Sequence, residues 1–171
     1  MELESYIRDI PDFPQEGVMF KDITPLLADP AAFHETIDRM AAGYADEGVT
    51  KVLGAEARGF IFAAPLAYKL DAGFIPARKP GKLPWETIEA TYALEYGTDS
   101  LEVHVDSISP GARVIVLDDV LATGGTARAK IELVERLGGV VVGALFVIEL
   151  SFLHGRDRIA GTDVHALIDY S

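Results

Sequence analysis

The chain has 171 residues, 49% of them hydrophobic and 9% aromatic, and its 15 Lys and Arg stand against 27 Asp and Glu for a formal charge of −12. At roughly 150 residues per domain this predicts one domain spanning 1–171, with an ordinary globular composition that excludes disorder as the main state. The acidic balance argues against a broad phosphate-gripping face, so no nucleic acid is expected as a partner and any anion site must be local. The absence of cysteine excludes a disulfide framework, a zinc–thiolate site, an iron–sulfur cluster and a cysteine nucleophile. Met1 to Arg8 carries Glu2 and Glu4 and no apolar core, and no run of some 18 uncharged apolar residues follows. The expectation is a cytoplasmic protein without membrane contact.

In chain order, Asp29-Pro30 reads as a helix cap followed by Pro at the first helical position, with Phe33, Ile37, Met40 and Tyr44 on one face and Gly48 as a stop. Lys51 to Ala55 is a short apolar strand. Glu56-Ala57-Arg58-Gly59 then forms a loop before a small-residue apolar helix from Phe60 to Leu70, and Gly73 to Pro76 is a second buried strand. Between Ala72 and Trp85 no acidic residue occurs, while Arg78, Lys79 and Lys82 lie beside Pro80, Gly81 and Pro84. That is a basic loop rich in breakers. Thr91 to Tyr96 and Leu101 to Val105 alternate as strands of a hairpin joined by Gly97-Thr98-Asp99-Ser100, with Tyr92, Leu94 and Tyr96 on one face and Glu95 on the other.

Val114 to Leu117 is continuously apolar, as a strand covered on both faces would be, and it runs into Asp118-Asp119. Thr126 is read as the cap of a helix burying Ala127, Ile131 and Val134, Gly138-Gly139 ends it, and Val140 to Val147 is the next strand. Strands alternating with helices predict an α/β fold, a Rossmann-like, mainly parallel sheet flanked by helices.

Most of the chemistry is carried by the stretch from Val114 through Asp118-Asp119-Val120-Leu121-Ala122-Thr123-Gly124-Gly125-Thr126. A helix start after glycines offers unpaired main-chain N–H groups and the positive end of a dipole to an anion, and Thr123 and Thr126 add hydroxyls. No Lys follows the glycines, and their spacing does not match Gly-x-Gly-x-x-Gly, so neither a triphosphate loop nor a dinucleotide fold is indicated. A phosphate monoester is expected. Asp118 and Asp119 would repel that phosphate, but they suit a sugar diol, met directly or through a hydrated Mg²⁺. The same pair would also suit a plain turn with a helix cap, Arg78 to Lys82 a solvated basic loop, Glu95 a solvated strand residue and Phe20 a core aromatic. The 4 histidines, His34, His104, His154 and His165, share no ligand spacing, so no metal is expected to be held by protein alone.

The same stretch resembles the phosphoribosyl pyrophosphate motif of the type I phosphoribosyltransferases. Phe13-Pro14 to Gly17, Phe20-Lys21-Asp22-Ile23-Thr24-Pro25, Glu56-Ala57-Arg58-Gly59-Phe60, Arg78 to Pro84 and Leu94-Glu95-Tyr96-Gly97 are similar, in this order, to the adenine-specific branch of that family. The resemblance runs from about Ile7 to Asp169. It implies a small hood over residues 1–35, a flexible hairpin lid, a homodimer, and Mg²⁺ carried by the substrate. The implied reaction joins adenine to phosphoribosyl pyrophosphate, giving AMP and pyrophosphate.

By that resemblance Asp118, Asp119, Leu121, Ala122, Thr123, Gly124, Gly125 and Thr126 hold the ribose and 5′-phosphate, and Arg58, Arg78, Lys79 and Lys82 hold pyrophosphate. Met19, Phe20, Lys21 and Leu150 surround adenine, and Glu95 manages the proton at its N7 as general acid or base. A transferase for another base such as xanthine, or a regulator sensing phosphoribosyl pyrophosphate on the same fold, are the alternatives. The first would differ at Phe20, Lys21 and Leu150, and the second would need an added nucleic-acid-binding segment or basic face.

Overall fold

The computed structural model describes residues 1–94 and 96–171, so the expectation for Glu95 lies outside the described residues. The chain opens with a short 3-10 turn at Leu3–Tyr6 and a small antiparallel ribbon of β1 (Arg8–Ile10) and β2 (Phe20–Asp22). Helix α1 (Thr24–Ala28) follows, then α2 (Pro30–Ala42), whose first turn is capped as expected: the Asp29 carboxylate accepts from Ala32 N–H at 2.8 Å. Ile37, Met40 and Tyr44 are buried. The helix ends at Ala42, ahead of the expected stop at Gly48, and the chain turns there.

Five parallel strands form the central sheet in the order β4 (Gly73–Ala77), β3 (Lys51–Ala55), β7 (Arg113–Leu121), β8 (Val140–Leu150), β9 (Val164–Tyr170). Side chains alternate across it: Ile115 and Leu117 of β7 pack with α2 and with α3 (Arg58–Lys69), whereas Val114 and Val116 pack with α4 (Gly125–Arg136) on the opposite face. The continuous apolar run of β7 thus has a core on each side.

After β3 the chain crosses by α3 to β4 at one edge, and after β7 it crosses by α4 to β8 toward the other. Right-handed crossovers in opposite directions put the two helices on opposite faces. Between β3 and β7 the sheet therefore has a switch point, the place where open α/β sheets bind ligands at the carboxyl ends of their strands.

A separate hairpin, β5 (Thr87–Leu94) and β6 (Gly97–His104), packs against α4 and buries Ala90, Leu101 and Val103. The expected connection at Gly97 to Ser100 is instead part of β6, and the strands close at Leu94 and Gly97. Across the ribbon Asp99 faces Tyr92 and Ser100 faces Thr91, whose hydroxyl lies 2.9 Å from the Ser100 hydroxyl. These polar pairs extend the ladder through residues that read as a turn. Among the described residues no helix is long and apolar enough to cross a membrane.

Candidate active site

A cavity of about 490 Å³ opens at the switch point, lined by the carboxyl ends of β3 and β7, the start of α4, and Val18 to Lys21 from the N-terminal ribbon. Helix α4 begins one residue earlier than its expected cap at Thr126, with Gly124 as the capping residue at φ +87°. That conformation and the space around it both require glycine, because a Cβ at Gly124 would run into the carbonyl oxygen of Gly155. Leu121, Ala122, Thr123, Gly124, Gly125 and Thr126 all line the cavity, so the free N–H groups of the first turn of α4 face a space fit for an anion.

Asp118 and Asp119 stand at the end of β7, not in a turn after it, because the strand continues to Leu121. Asp118 is fully engaged: Oδ2 accepts from Lys130 Nζ at 2.7 Å, and Oδ1 accepts from the Asp119 N–H at 3.1 Å. Asp119 is 5% exposed. Its Oδ2 lies 2.8 Å from Arg58 Nε, but the N–H is not aimed at it, leaving charge attraction and a buried oxygen without a hydrogen-bond donor. Burial, with the Asp118 carboxylate beside it, pushes Asp119 up to about 6. Asp119 lines the cavity, and its acceptor without a protein donor suits a hydroxyl once Arg58 moves aside.

Arg58, the first residue of α3, sets its guanidinium 5.4 Å from the centre of the Phe20 ring. Lys79 also reaches the cavity, where its ammonium donates to the Tyr92 hydroxyl at 3.0 Å and to the Asp99 carboxylate. Burial pulls the Lys79 ammonium down, yet its bonds to Asp99 and Tyr92 prevail and hold it above its usual value. Arg78 and Lys82 are not brought to the cavity lining. Arg78 donates through Nε to Glu56 at 3.2 Å and pairs its main chain with Glu102, while Lys82 is exposed on the loop.

Met19, Phe20 and Leu150 line the remaining side with Val18. The half-buried Phe20 ring packs edge-on against Phe13, with centroids 5.0 Å apart. Lys21 touches the cavity, but its ammonium bonds Asp9 at 2.7 Å and lies 3.7 Å over the Tyr170 ring. Asp9 is its cross-strand partner in the ribbon, so local pairing competes with any reach toward a base. Among the described residues no group of three or more His, Asp or Glu side chains converges as a metal cage.

The family described as Phosphoribosyl transferase domain matches residues 26–166. An adenine phosphoribosyltransferase of Maridesulfovibrio salexigens is 58% identical over 168 residues, covering 98% of this chain and 99% of that protein. The chain belongs to the adenine phosphoribosyltransferase family. The crystal structure of adenine phosphoribosyltransferase from Thermoanaerobacter pseudethanolicus, 51% identical, superimposes with a TM-score of 0.96 over 99% of this chain and 98% of the other. That from Saccharomyces cerevisiae, 40% identical with a TM-score of 0.92 and coverage of 97% and 96%, is complexed with adenine and an imino-altritol bisphosphate.

In this member of the adenine phosphoribosyltransferase family, four side chains that hold the site escaped the sequence reading: Glu56, Tyr92, Asp99 and Lys130. Glu56 accepts from the Lys79 N–H at 2.8 Å as well as from Arg78, and so anchors the start of the basic loop. The alternation of β5 could have revealed Tyr92. Lys130 left a weaker trace, a charge at a helical position between buried Ala127 and Ile131.

Proposed function

We propose that this protein, one catalytic domain with residues 1–35 as its hood, transfers the 5-phosphoribosyl group from phosphoribosyl pyrophosphate to adenine, releasing AMP and pyrophosphate. The observation that carries the reading is one cavity in which an anion cradle, a carboxylate pair and two cations converge beside an aromatic and aliphatic slot. The 5′-phosphate sits on the α4 N-terminus, the ribose hydroxyls donate to Asp119 beside Asp118, and the purine enters between Phe20 and Leu150. Arg58 leaves its charge contact with Asp119 and Lys79 leaves Asp99 to meet pyrophosphate, with Arg78 and Lys82 reaching it when the basic loop closes. Mg²⁺ travels on substrate oxygens and water, since two adjacent carboxylates, one already bonded to Lys130, are too few for a protein cage.

Adenine N9 forms the bond to the anomeric carbon as the bond to pyrophosphate breaks. The electron pair leaves on the pyrophosphate oxygen, and Glu95 takes the N7 proton. Positioning the two reactants and stabilising the departing charge are the protein's main contributions. The functional unit is a homodimer, a reading supported by the outward face of α3, where Ile61, Ala64, Pro65 and Tyr68 recur at helical spacing.

The test offers adenine, hypoxanthine, guanine and xanthine in parallel with phosphoribosyl pyrophosphate and Mg²⁺, using wild type and Glu95→Gln. Nucleotide is expected from adenine alone, with kcat of Glu95→Gln reduced by about 10²-fold or more and KM values nearly unchanged. Product from another base but not adenine overturns the base assignment. Full turnover by Glu95→Gln removes its proton role.

A further inference from the structure

Lys130 is at the centre of α4 with none of its side chain exposed, among Ala127, Ala129, Ile131 and Val134 of the same buried helical surface. An ammonium in such a place is strongly disfavoured unless it is paired, and an apolar side chain would fill the space without that desolvation cost. Its three protons have two fixed acceptors, the Leu117 carbonyl at 2.8 Å and Asp118 Oδ2 at 2.7 Å. Both belong to the end of β7, immediately beneath the cavity.

Resting on the phosphoribosyl-transfer reading, we propose that Lys130 is a positioning residue for the sugar phosphate: it ties α4, which begins as the phosphate cradle, to the carboxylate pair that receives the ribose. Lys130 follows Gly125 by about 7.5 Å of helix rise, so its bond to β7 fixes the spacing between two groups that one nucleotide must span. It also gives each carboxylate a distinct state. Asp118 is held by two donors, whereas Asp119 has a buried oxygen that meets Arg58 and receives no hydrogen bond from the protein. The cation beside Asp119 is Arg58, which is 47% exposed and free to move toward the pyrophosphate of an arriving substrate. Lys130 is sealed in the core, where no ligand can draw it away. The pair therefore retains one cation throughout binding.

The experiment compares wild type, Lys130→Met, Asp118→Asn and the double variant. AMP dissociation constants are measured by calorimetry without Mg²⁺, and KM values for adenine and phosphoribosyl pyrophosphate by steady-state kinetics. Lys130→Met is expected to weaken AMP and raise the KM for phosphoribosyl pyrophosphate by about tenfold or more, leaving the KM for adenine within about twofold. AMP binding within about twofold of wild type, or equal losses for adenine and AMP, overturns the proposal. If Lys130→Met does not fold, the double variant decides: its AMP affinity should match that of Asp118→Asn, and a further tenfold loss of about the size expected in the wild-type background overturns the coupling. A wild type that makes no AMP refutes the functional reading itself, whereas an active wild type with an indifferent Lys130→Met refutes only this proposal.

Discussion

Asp119 is held in the ligand-free protein at a cost to the fold. Buried beside a second carboxylate, it has its proton affinity raised, so the folded chain binds more protons than the unfolded chain between about pH 4 and about pH 6. Stability from this group is accordingly present at the acid end and lost as pH rises through about 6. Asp119→Asn should therefore raise the melting temperature of the ligand-free protein at pH 8, by on the order of 2 kcal/mol or roughly 4–8 °C, and the gain should vanish near pH 4. The same variant should bind AMP more weakly, and wild-type affinity for AMP should fall as the pH drops below about 6. Scanning calorimetry at both pH values checks the first claim, and an Asp119→Asn protein no more stable at pH 8 than wild type contradicts it. At this scale the residues whose chemistry repeats in a short segment were legible: Asp118, Asp119 and the Thr-Gly-Gly-Thr turn stand together. Lys130 and Lys21 were not, because a long cation shows its partner only when distant strands are assembled, and for Lys21 that partner is Asp9 across the ribbon.

Between the elements, the basic loop and the hairpin form a second unit of chemistry. Lys79 is tied to Asp99 and Tyr92, which face each other across β5 and β6, so the ammonium proposed to meet pyrophosphate is occupied by a carboxylate of the hairpin in the ligand-free protein. On the proposed assignment, pyrophosphate displaces Asp99. It follows that Asp99→Asn should lower the inhibition constant of pyrophosphate by about two- to tenfold, while Lys79→Ala with Lys82→Ala should raise it by about tenfold or more. AMP, which carries no pyrophosphate, should bind all these proteins nearly alike by calorimetry, and an equal loss of AMP affinity in the double Lys variant contradicts the assignment. The hairpin itself was legible from the alternation of its strands. Its turn was not: Gly97-Thr98-Asp99-Ser100 has turn composition, yet the pairs Asp99–Tyr92 and Ser100–Thr91 extend the ladder through it. Likewise β7 continues through its acidic pair, because hydrogen bonding to β8 persists to Leu121, which the change from apolar to acidic residues does not reveal.

Over the whole molecule, the parallel sheet and its two cores follow from the alternation of apolar strands and helices, but strand order does not. Nothing local in β3 or β7 says that they are neighbours; the reversal of the crossovers makes them so, and the cavity is the consequence. The outer face of α3 is similar in this respect. Its inner residues Phe62, Ala63 and Leu66 are buried in the chain, while Ile61 is 37% and Tyr68 90% exposed. Two copies joined through this face bury apolar area, and each brings a formal charge of −12. The hydrophobic term is short-ranged and the repulsion between like-charged copies is long-ranged and screened by salt. The proposed dimer, if joined through this face, should therefore tighten as sodium chloride rises from about 0.05 to about 0.5 M, whereas an interface built on ion pairs would loosen over that range. Ile61→Glu with Tyr68→Glu should yield a monomer at micromolar concentration at every salt level. Sedimentation equilibrium measures both, and a wild-type chain that sediments as a monomer throughout, or a double variant that remains dimeric, contradicts the placement of the interface on α3.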